Sequence, residues 1–167
     1  MRRGPNVMNA PGSTPLYEQP DAHGFGRVTV GFIGRVMHYV AQGPFDAALM
    51  AAAKRGTNVA AERIPADRRY VSLMEFRRPL GLDDDGLREF KETVGGFVTR
   101  QTVPLATVLL VAPGDDEAPM VVEMAAIYRR SRPLLLCTDA GTAWAEVNRV
   151  LREAGLPEQP QPDSLGR

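Results

Sequence analysis

Hydrophobic and polar positions near the start of the chain follow the pattern of a β-hairpin. Val28, Val30 and Phe32 alternate with small or polar residues, and Gly34 separates them from a second apolar run at 36–41. An alternation of this kind places every second side chain on the same face of a strand. The pattern predicts two short antiparallel strands joined by a tight turn.

Three later apolar runs predict the other strands of a sheet. They cover 70–76, 105–112 and 134–137. The run at 105–112 is nearly continuous, which is typical of a strand that is covered on both faces. The run at 134–137 has the same character, so both strands are expected to lie in the interior.

Apolar residues at helical spacing predict four helices between and after these strands. The first is expected to stop at Gly56, because glycine commonly ends a helix. The second is expected to begin after Asp83, the third at Pro119, and the fourth after Asp139 or Thr142. The order ββαβαβαβα predicts an α/β fold: a mixed sheet of about five strands, with an antiparallel N-terminal hairpin followed by parallel βα units, and four helices.

Prolines are concentrated at both ends of the chain and divide it into three parts. Half of the 14 prolines lie before position 26 or after position 155. Neither end shows an apolar period, so we predict a flexible or disordered N-terminal tail at 1–26 and a flexible C-terminal tail at 156–167. Residues 27–155 are predicted to form one domain. The N-terminal stretch has no continuous apolar segment and is not expected to be a signal peptide.

Composition and charge exclude several classes of protein. The hydrophobic share of 44% and the charged share of 24% are those of a soluble globular domain. The 20 basic and 20 acidic residues cancel, so we expect no general affinity for nucleic acid or for an anionic membrane. No apolar run has the ~20 residues that a transmembrane helix needs, and the single cysteine, Cys137, excludes an internal disulfide. We therefore expect a cytoplasmic protein.

A hairpin followed by three βα units resembles the STAS superfamily, named for sulphate transporters and anti-sigma-factor antagonists. The resemblance spans about 27–154 and is strongest in the C-terminal half. There the chain is similar to a small bacterial branch of the superfamily in three features. In that branch the fourth strand ends in Ala-Pro, the third helix carries a methionine followed four residues later by tyrosine or phenylalanine, and the last helix begins with Ala-Trp. The matching positions are Ala112, Pro113, Met124, Tyr128, Ala143 and Trp144.

This resemblance directs attention to one loop. In anti-sigma-factor antagonists, an Asp-Ser-Ser-Gly-Leu motif before the second helix carries a serine that a partner kinase phosphorylates. The corresponding string here is Asp83, Asp84, Asp85, Gly86 and Leu87. Aspartate stands at both serine positions, so the phosphorylation switch that the resemblance implies cannot be carried over. Two interpretations remain: a surface that binds a protein partner and, with more weight, carboxylates that stabilise the first turn of a helix.

Residue types that carry catalysis are few and far apart in the sequence. His38 lies in a predicted strand, His23 in the predicted tail and Cys137 in an apolar run. A histidine without a located partner specifies no reaction. The acidic groups at 83–85 and 115–117 are able to hold a divalent cation, and helix capping explains them equally well. We therefore expect that the protein is not an enzyme and that it binds no cofactor and no metal. An enzyme that depends on a divalent cation is the weakest alternative.

Two functions remain open. The first hypothesis is a non-enzymatic regulatory or protein-interaction module of the STAS type that lacks the phosphorylatable serine. Such a module would bind a protein partner of unknown identity around Asp83–Gly86, and it could also form a homodimer. The alternative is a small-molecule binding domain. It would hold a nucleotide, a lipid or another apolar or anionic ligand between the first hairpin and the helices.

Overall fold

The computed structural model describes residues 17–20 and 26–166. Within these ranges the chain forms six strands and four helices. In chain order they are β1 (Tyr17–Pro20), β2 (Arg27–Ile33), β3 (Val36–Gln42), α1 (Ala47–Ala61), β4 (Val71–Arg77), α2 (Asp84–Thr99), β5 (Thr107–Leu110), α3 (Pro119–Arg129), β6 (Leu134–Cys137) and α4 (Ala140–Glu153).

All six strands belong to one mixed sheet, in which the spatial order follows the order in the sequence. β1, β2 and β3 are antiparallel neighbours, and β3 to β6 are parallel neighbours. The predicted α/β class is confirmed, with its antiparallel hairpin, its parallel βα units and its four helices. One strand was not predicted: β1 lies within the stretch 1–26 that we expected to be a flexible tail. An edge strand is held by main-chain hydrogen bonds, so it needs no apolar pattern; the other residues of that tail, 1–16 and 21–25, lie outside the described residues.

The sequential strand order decides which face of the sheet each helix covers. Every parallel connection from β3 to β6 moves one strand in the same direction, and such connections are almost always right-handed. α1, α2 and α3 therefore share one face, where Leu49, Phe90 and Met124 belong to the same buried cluster. α4 follows the last strand, and its Trp144 and Leu151 form a separate cluster on the opposite face.

Helix α1 is longer than predicted. Asp46 caps it by accepting a hydrogen bond from the Leu49 backbone nitrogen at 2.8 Å. The helix continues past Gly56, our expected stop, because Gly56, Thr57 and Ala60 all lie in its buried face. Packing of that last turn outweighs the cost of about 1 kcal/mol that a glycine imposes inside a helix.

The two strands expected in the interior differ in position. All four residues of β5 are buried, as predicted. β6 pairs with β5, but it is the last strand of the sheet, and Leu134, Leu135 and Leu136 are only partly buried. Apolar character alone does not distinguish an interior strand from an edge strand that a helix covers on one face.

The C-terminal segment was predicted to be a flexible tail, but parts of its described residues, 156–166, are held against α4, although most of these residues are exposed. The carbonyl oxygen of Gln159 accepts hydrogen bonds from Trp144 Nε1 at 2.8 Å and from Asn148 Nδ2 at 3.0 Å. Asn148 Oδ1 in turn accepts from the Gln159 backbone nitrogen at 2.8 Å, and Leu165 is buried. A segment without periodicity can be ordered in this way because side chains of a neighbouring helix satisfy its backbone.

Candidate functional site

A cavity of about 50 Å³ lies between the sheet and helices α1, α2 and α3. This volume has room for a few water molecules. Most of the wall is apolar, and four methionine side chains contribute to it: Met37, Met50, Met74 and Met124. The cavity lies between the first hairpin and the helices, where the small-molecule alternative places a ligand.

The two ends of the cavity differ in polarity. Tyr70, which directly precedes β4, and Arg132, which directly precedes Pro133 and β6, line the end at the amino termini of the parallel strands. Phe45 and Phe76 line the other end, near the carboxyl termini of β3 and β4. The cavity is therefore polar at one end and apolar at the other.

Arg132 is a buried cation without an acidic partner among the described residues. Only 7% of the residue is exposed. Its Nε donates a hydrogen bond to Ser131 Oγ at 3.1 Å, whereas its Nη2 has no hydrogen-bond partner. The guanidinium carbon lies 5.2 Å from the ring centre of Tyr128 and 5.9 Å from that of Phe97, so aromatic faces supply its remaining stabilisation. Burial lowers the pKa of Arg132, although an arginine in a protein keeps its proton at neutral pH.

Three tyrosines, Tyr39, Tyr70 and Tyr128, also belong to the cavity wall. Tyr39 donates to Met37 Sδ at 2.9 Å and Tyr128 donates to Met74 Sδ at 2.6 Å. A thioether sulphur is a weak acceptor, so neither hydroxyl has a strong partner in these contacts. Tyr70 has a better acceptor, the carbonyl oxygen of Thr102 at 2.6 Å.

Burial keeps these three hydroxyls protonated. It raises the pKa of Tyr39 to about 12 and raises the pKa values of Tyr70 and Tyr128 further above their usual value. Phenols in this state are hydrogen-bond donors at neutral pH. Together with Arg132 they make the cavity wall rich in donors. No aspartate, glutamate, histidine or cysteine of the described chain lines the cavity.

The cavity approaches the surface between α1 and α2. Lys54 of α1 belongs to the wall, and 37% of its side chain is exposed. Its Nζ lies 3.1 Å from Glu92 Oε2 and 3.8 Å from Glu89 Oε2, both on α2. These ion pairs cross the gap between the two helices on this side of the cavity.

The loop singled out by the sequence lies at the carboxyl edge of the sheet, between β4 and α2. Asp83 is the N-cap, as predicted, and accepts a hydrogen bond from the Gly86 backbone nitrogen at 2.6 Å. Asp84 and Asp85 are exposed in the first turn of α2, and Asp85 pairs with Arg88 at 2.6 Å. Local helix geometry therefore accounts for all three carboxylates, and their role in partner binding stays a prediction.

The other two residues of this motif have structural roles. A Cβ atom added at Gly86 would lie 2.4 Å from the carbonyl oxygen of Phe45, so the close approach of the first turn of α2 to the chain before α1 requires glycine. Leu87 is partly buried and packs against the main core. Neither residue lines the cavity, so the structure does not bring the predicted motif and the cavity together.

His38 and Glu75 form a buried pair on the opposite face of the sheet. His38 Nε2 lies 3.6 Å from Glu75 Oε2, and Arg77 Nη2 lies 2.7 Å from Glu75 Oε1. Burial favours the neutral form of Glu75, but hydrogen bonds and charge from His38 and Arg77 outweigh burial and lower the pKa of this carboxyl. Within the described part of the chain, neither His38 Nε2 nor Glu75 Oε2 has a hydrogen-bond partner by distance, so the contact between them is a long one. Cys137 is buried, as expected, and burial raises the pKa of its thiol.

Sequence reasoning missed the residues at the polar end of the cavity. Tyr39 and Tyr70 appeared only as members of apolar strands, and Tyr128 only as one of the positions that match the STAS superfamily. In the sequence, Arg132 stands out only as a charged residue between a predicted helix and an apolar strand. Arg129 and Arg130 have nearly the same position, so the sequence does not indicate which of the three is buried. Arg129 and Arg130 are exposed in the structure, whereas Arg132 is buried.

No three histidine, cysteine, aspartate or glutamate side chains gather to form a metal site within the described ranges. In the same part of the chain, every helix is too short or too polar to cross a bilayer.

Comparisons with protein-family models, with curated proteins and with solved structures gave no match. The kinship with the STAS superfamily therefore rests on the sequence pattern and stays a prediction.

Proposed function

We propose that this chain is a non-enzymatic binding module, which holds a small and largely apolar molecule in the cavity beneath α1, α2 and α3. The observation that carries the proposal is the cavity itself, a free volume of about 50 Å³ at the centre of the main hydrophobic core. Protein interiors are close-packed and contain few voids larger than a water molecule. An empty void of this size costs about 1 kcal/mol, at about 24 cal/mol per Å³.

The four methionines of the wall support the same proposal. Met side chains are unbranched and flexible, and they adapt to irregular or variable contents. Rotation of Met50 and Met124, which belong to two different helices, would enlarge the cavity without moving the sheet. We expect a molecule larger than the free volume to be accommodated in this way.

A neutral apolar fluorophore tests the proposal. We expect N-phenyl-1-naphthylamine to bind the full chain with one-to-one stoichiometry, and we expect Ala53→Leu to weaken this binding by roughly tenfold, or 1.4 kcal/mol, because the larger side chain fills the cavity. Ala53 lines the cavity, whereas Ala48 on the same helix is exposed, so Ala48→Leu is the matched control. Absence of binding by the parent chain, or equal binding by a folded Ala53→Leu variant, would contradict the proposal.

A protein-interaction module of the STAS type is the second candidate. The observation that favours it is the exposure of Asp84 and Asp85 at the carboxyl edge of the sheet, where α/β proteins commonly place their binding surfaces. A partner with a basic surface would meet two carboxylates there. Substitution of both residues, described in the Discussion, tests this candidate separately from the cavity.

A further inference from the structure

We infer that the molecule bound in the cavity is an apolar monocarboxylic acid, whose carboxylate pairs with the guanidinium of Arg132 and whose apolar part extends toward Phe45 and Phe76. This inference rests on the proposed function and specifies the chemical class of its ligand. It follows from the charge balance of the cavity, from its hydrogen-bond donors and from the polarity of its two ends.

The charge balance comes first. Arg132 is buried, and no carboxylate within the described ranges lies at ion-pair distance from it. A buried charge is ordinarily paired, because removal from water is costly unless an opposite charge and hydrogen bonds compensate it. The rings of Tyr128 and Phe97 compensate only in part. A ligand that brings one negative charge completes the site.

The hydrogen-bond donors of the cavity wall indicate the chemistry of the ligand. Nη2 of Arg132 has no partner among the described residues. The hydroxyl of Tyr128 donates to a thioether sulphur, and the hydroxyl of Tyr39 has a thioether sulphur and the side chain of Thr57 as partners. Carboxylate oxygens are stronger acceptors than sulphur, and a guanidinium and a carboxylate match each other as planar groups with two hydrogen bonds. A carboxylate that pairs with Arg132 would give Nη2 a strong acceptor.

Other ligand classes fit less well. A cationic ligand would be repelled by Arg132. A phosphate ester carries more charge than one guanidinium neutralises, and no second buried cation lines the cavity among the described residues, since Lys54 is partly exposed and paired with α2. The apolar end at Phe45 and Phe76 requires a body without polar groups. A single carboxylate on an aliphatic or aromatic body meets each of these conditions.

The test compares octanoate with 1-octanol, which has the same chain length and no charge, by calorimetric titration of the full chain. We expect octanoate to bind more tightly than 1-octanol, and we expect Arg132→Met to weaken octanoate binding by roughly 10- to 100-fold while it leaves 1-octanol binding unchanged. Arg130→Met, at an exposed position close in the sequence, is the matched control and should leave both affinities unchanged.

The outcomes separate this inference from the proposed function. If 1-octanol and N-phenyl-1-naphthylamine bind but octanoate has no advantage, or if folded Arg132→Met keeps that advantage, the carboxylate inference is wrong and the proposed function stands. If none of the three probes binds, both are wrong. If Arg132→Met does not fold, Tyr128→Phe takes its place: it keeps the ring under the guanidinium and removes one donor, and an unchanged preference for octanoate in that variant overturns the inference.

Discussion

Replacement of Arg132 by methionine is expected to stabilise the ligand-free protein. The substitution removes a buried cation without an acidic partner and keeps an apolar side chain of similar length in a wall that already contains four methionines. Proteins often gain stability when a buried ionic group is replaced by well-packed apolar residues. The charge of Arg132 would then be retained for ligand binding at the expense of stability.

The contacts of Arg132 set the magnitude. The variant loses two cation–π contacts, at 5.2 and 5.9 Å from ring centres, and one hydrogen bond to Ser131. These contribute about 2–3 kcal/mol together, at about 0.5–1 for each aromatic contact and about 1 for the hydrogen bond. Desolvation of the guanidinium costs several kcal/mol even after the protein relaxes. We therefore expect a net gain of about 1–2 kcal/mol in the free energy of unfolding.

Urea denaturation of the ligand-free protein, followed by fluorescence, measures this change. Arg130→Met should change the unfolding free energy by no more than about 0.5 kcal/mol, as is usual for an exposed substitution. A loss of 1 kcal/mol or more in Arg132→Met, with an unchanged denaturant slope, would refute the reasoning. It would mean that the native protein already compensates the guanidinium charge.

Three further predictions concern other parts of the molecule. The pKa of Glu75 is lowered in the folded protein, so its charged form stabilises the fold above the unfolded pKa of about 4.3, and this contribution is lost as the pH falls through the lower folded pKa. Urea titrations should therefore show that Glu75→Gln is less stable than the parent at pH 7 and that the difference shrinks toward pH 3. Gly86→Ala should destabilise by about 1–3 kcal/mol because its Cβ meets a backbone oxygen at 2.4 Å, whereas Gly95→Ala, which meets nothing within 4 Å, should stabilise by about 0.5–1 kcal/mol in the same assay. If the acidic loop binds a basic protein partner, joint replacement of Asp84 and Asp85 by alanine should abolish a salt-sensitive complex captured from native extract; an unchanged set of captured proteins would leave helix stabilisation as the role of these residues.

The sequence by itself determined the features that depend on local physics. Alternating apolar residues predicted the hairpin, and continuous runs predicted the strands β4, β5 and β6, because side-chain periodicity follows directly from backbone geometry. Asp83 and Pro119 were predicted to begin helices for reasons that involve only their neighbours in the chain, namely a free carboxylate acceptor and a missing backbone N–H. Both helices begin at these residues, with Asp83 as N-cap and Pro119 in the first turn.

Structural features that depend on contacts between residues distant in the sequence could not be predicted from the periodicity of apolar residues. α1 continues past Gly56 because its last turn packs against the core, and β1 exists because β2 offers an edge for hydrogen bonding. The C-terminal segment is ordered by Trp144 and Asn148, which lie in another element. In each case a partner that is remote in sequence compensates an unfavourable local preference.

The candidate site shows the same division more sharply. The sequence indicated three aspartates as a candidate partner-binding site, because clustered carboxylates are able to bind a partner. Their positions at the N-terminus of α2 are accounted for by local helix geometry. The sequence did not distinguish Arg132 from Arg129 and Arg130, because three arginines within four residues have the same local character. Only the tertiary structure buries one of them beside two aromatic rings and the tyrosine hydroxyls. Burial is what turns an ordinary arginine into a charge that requires a counterion.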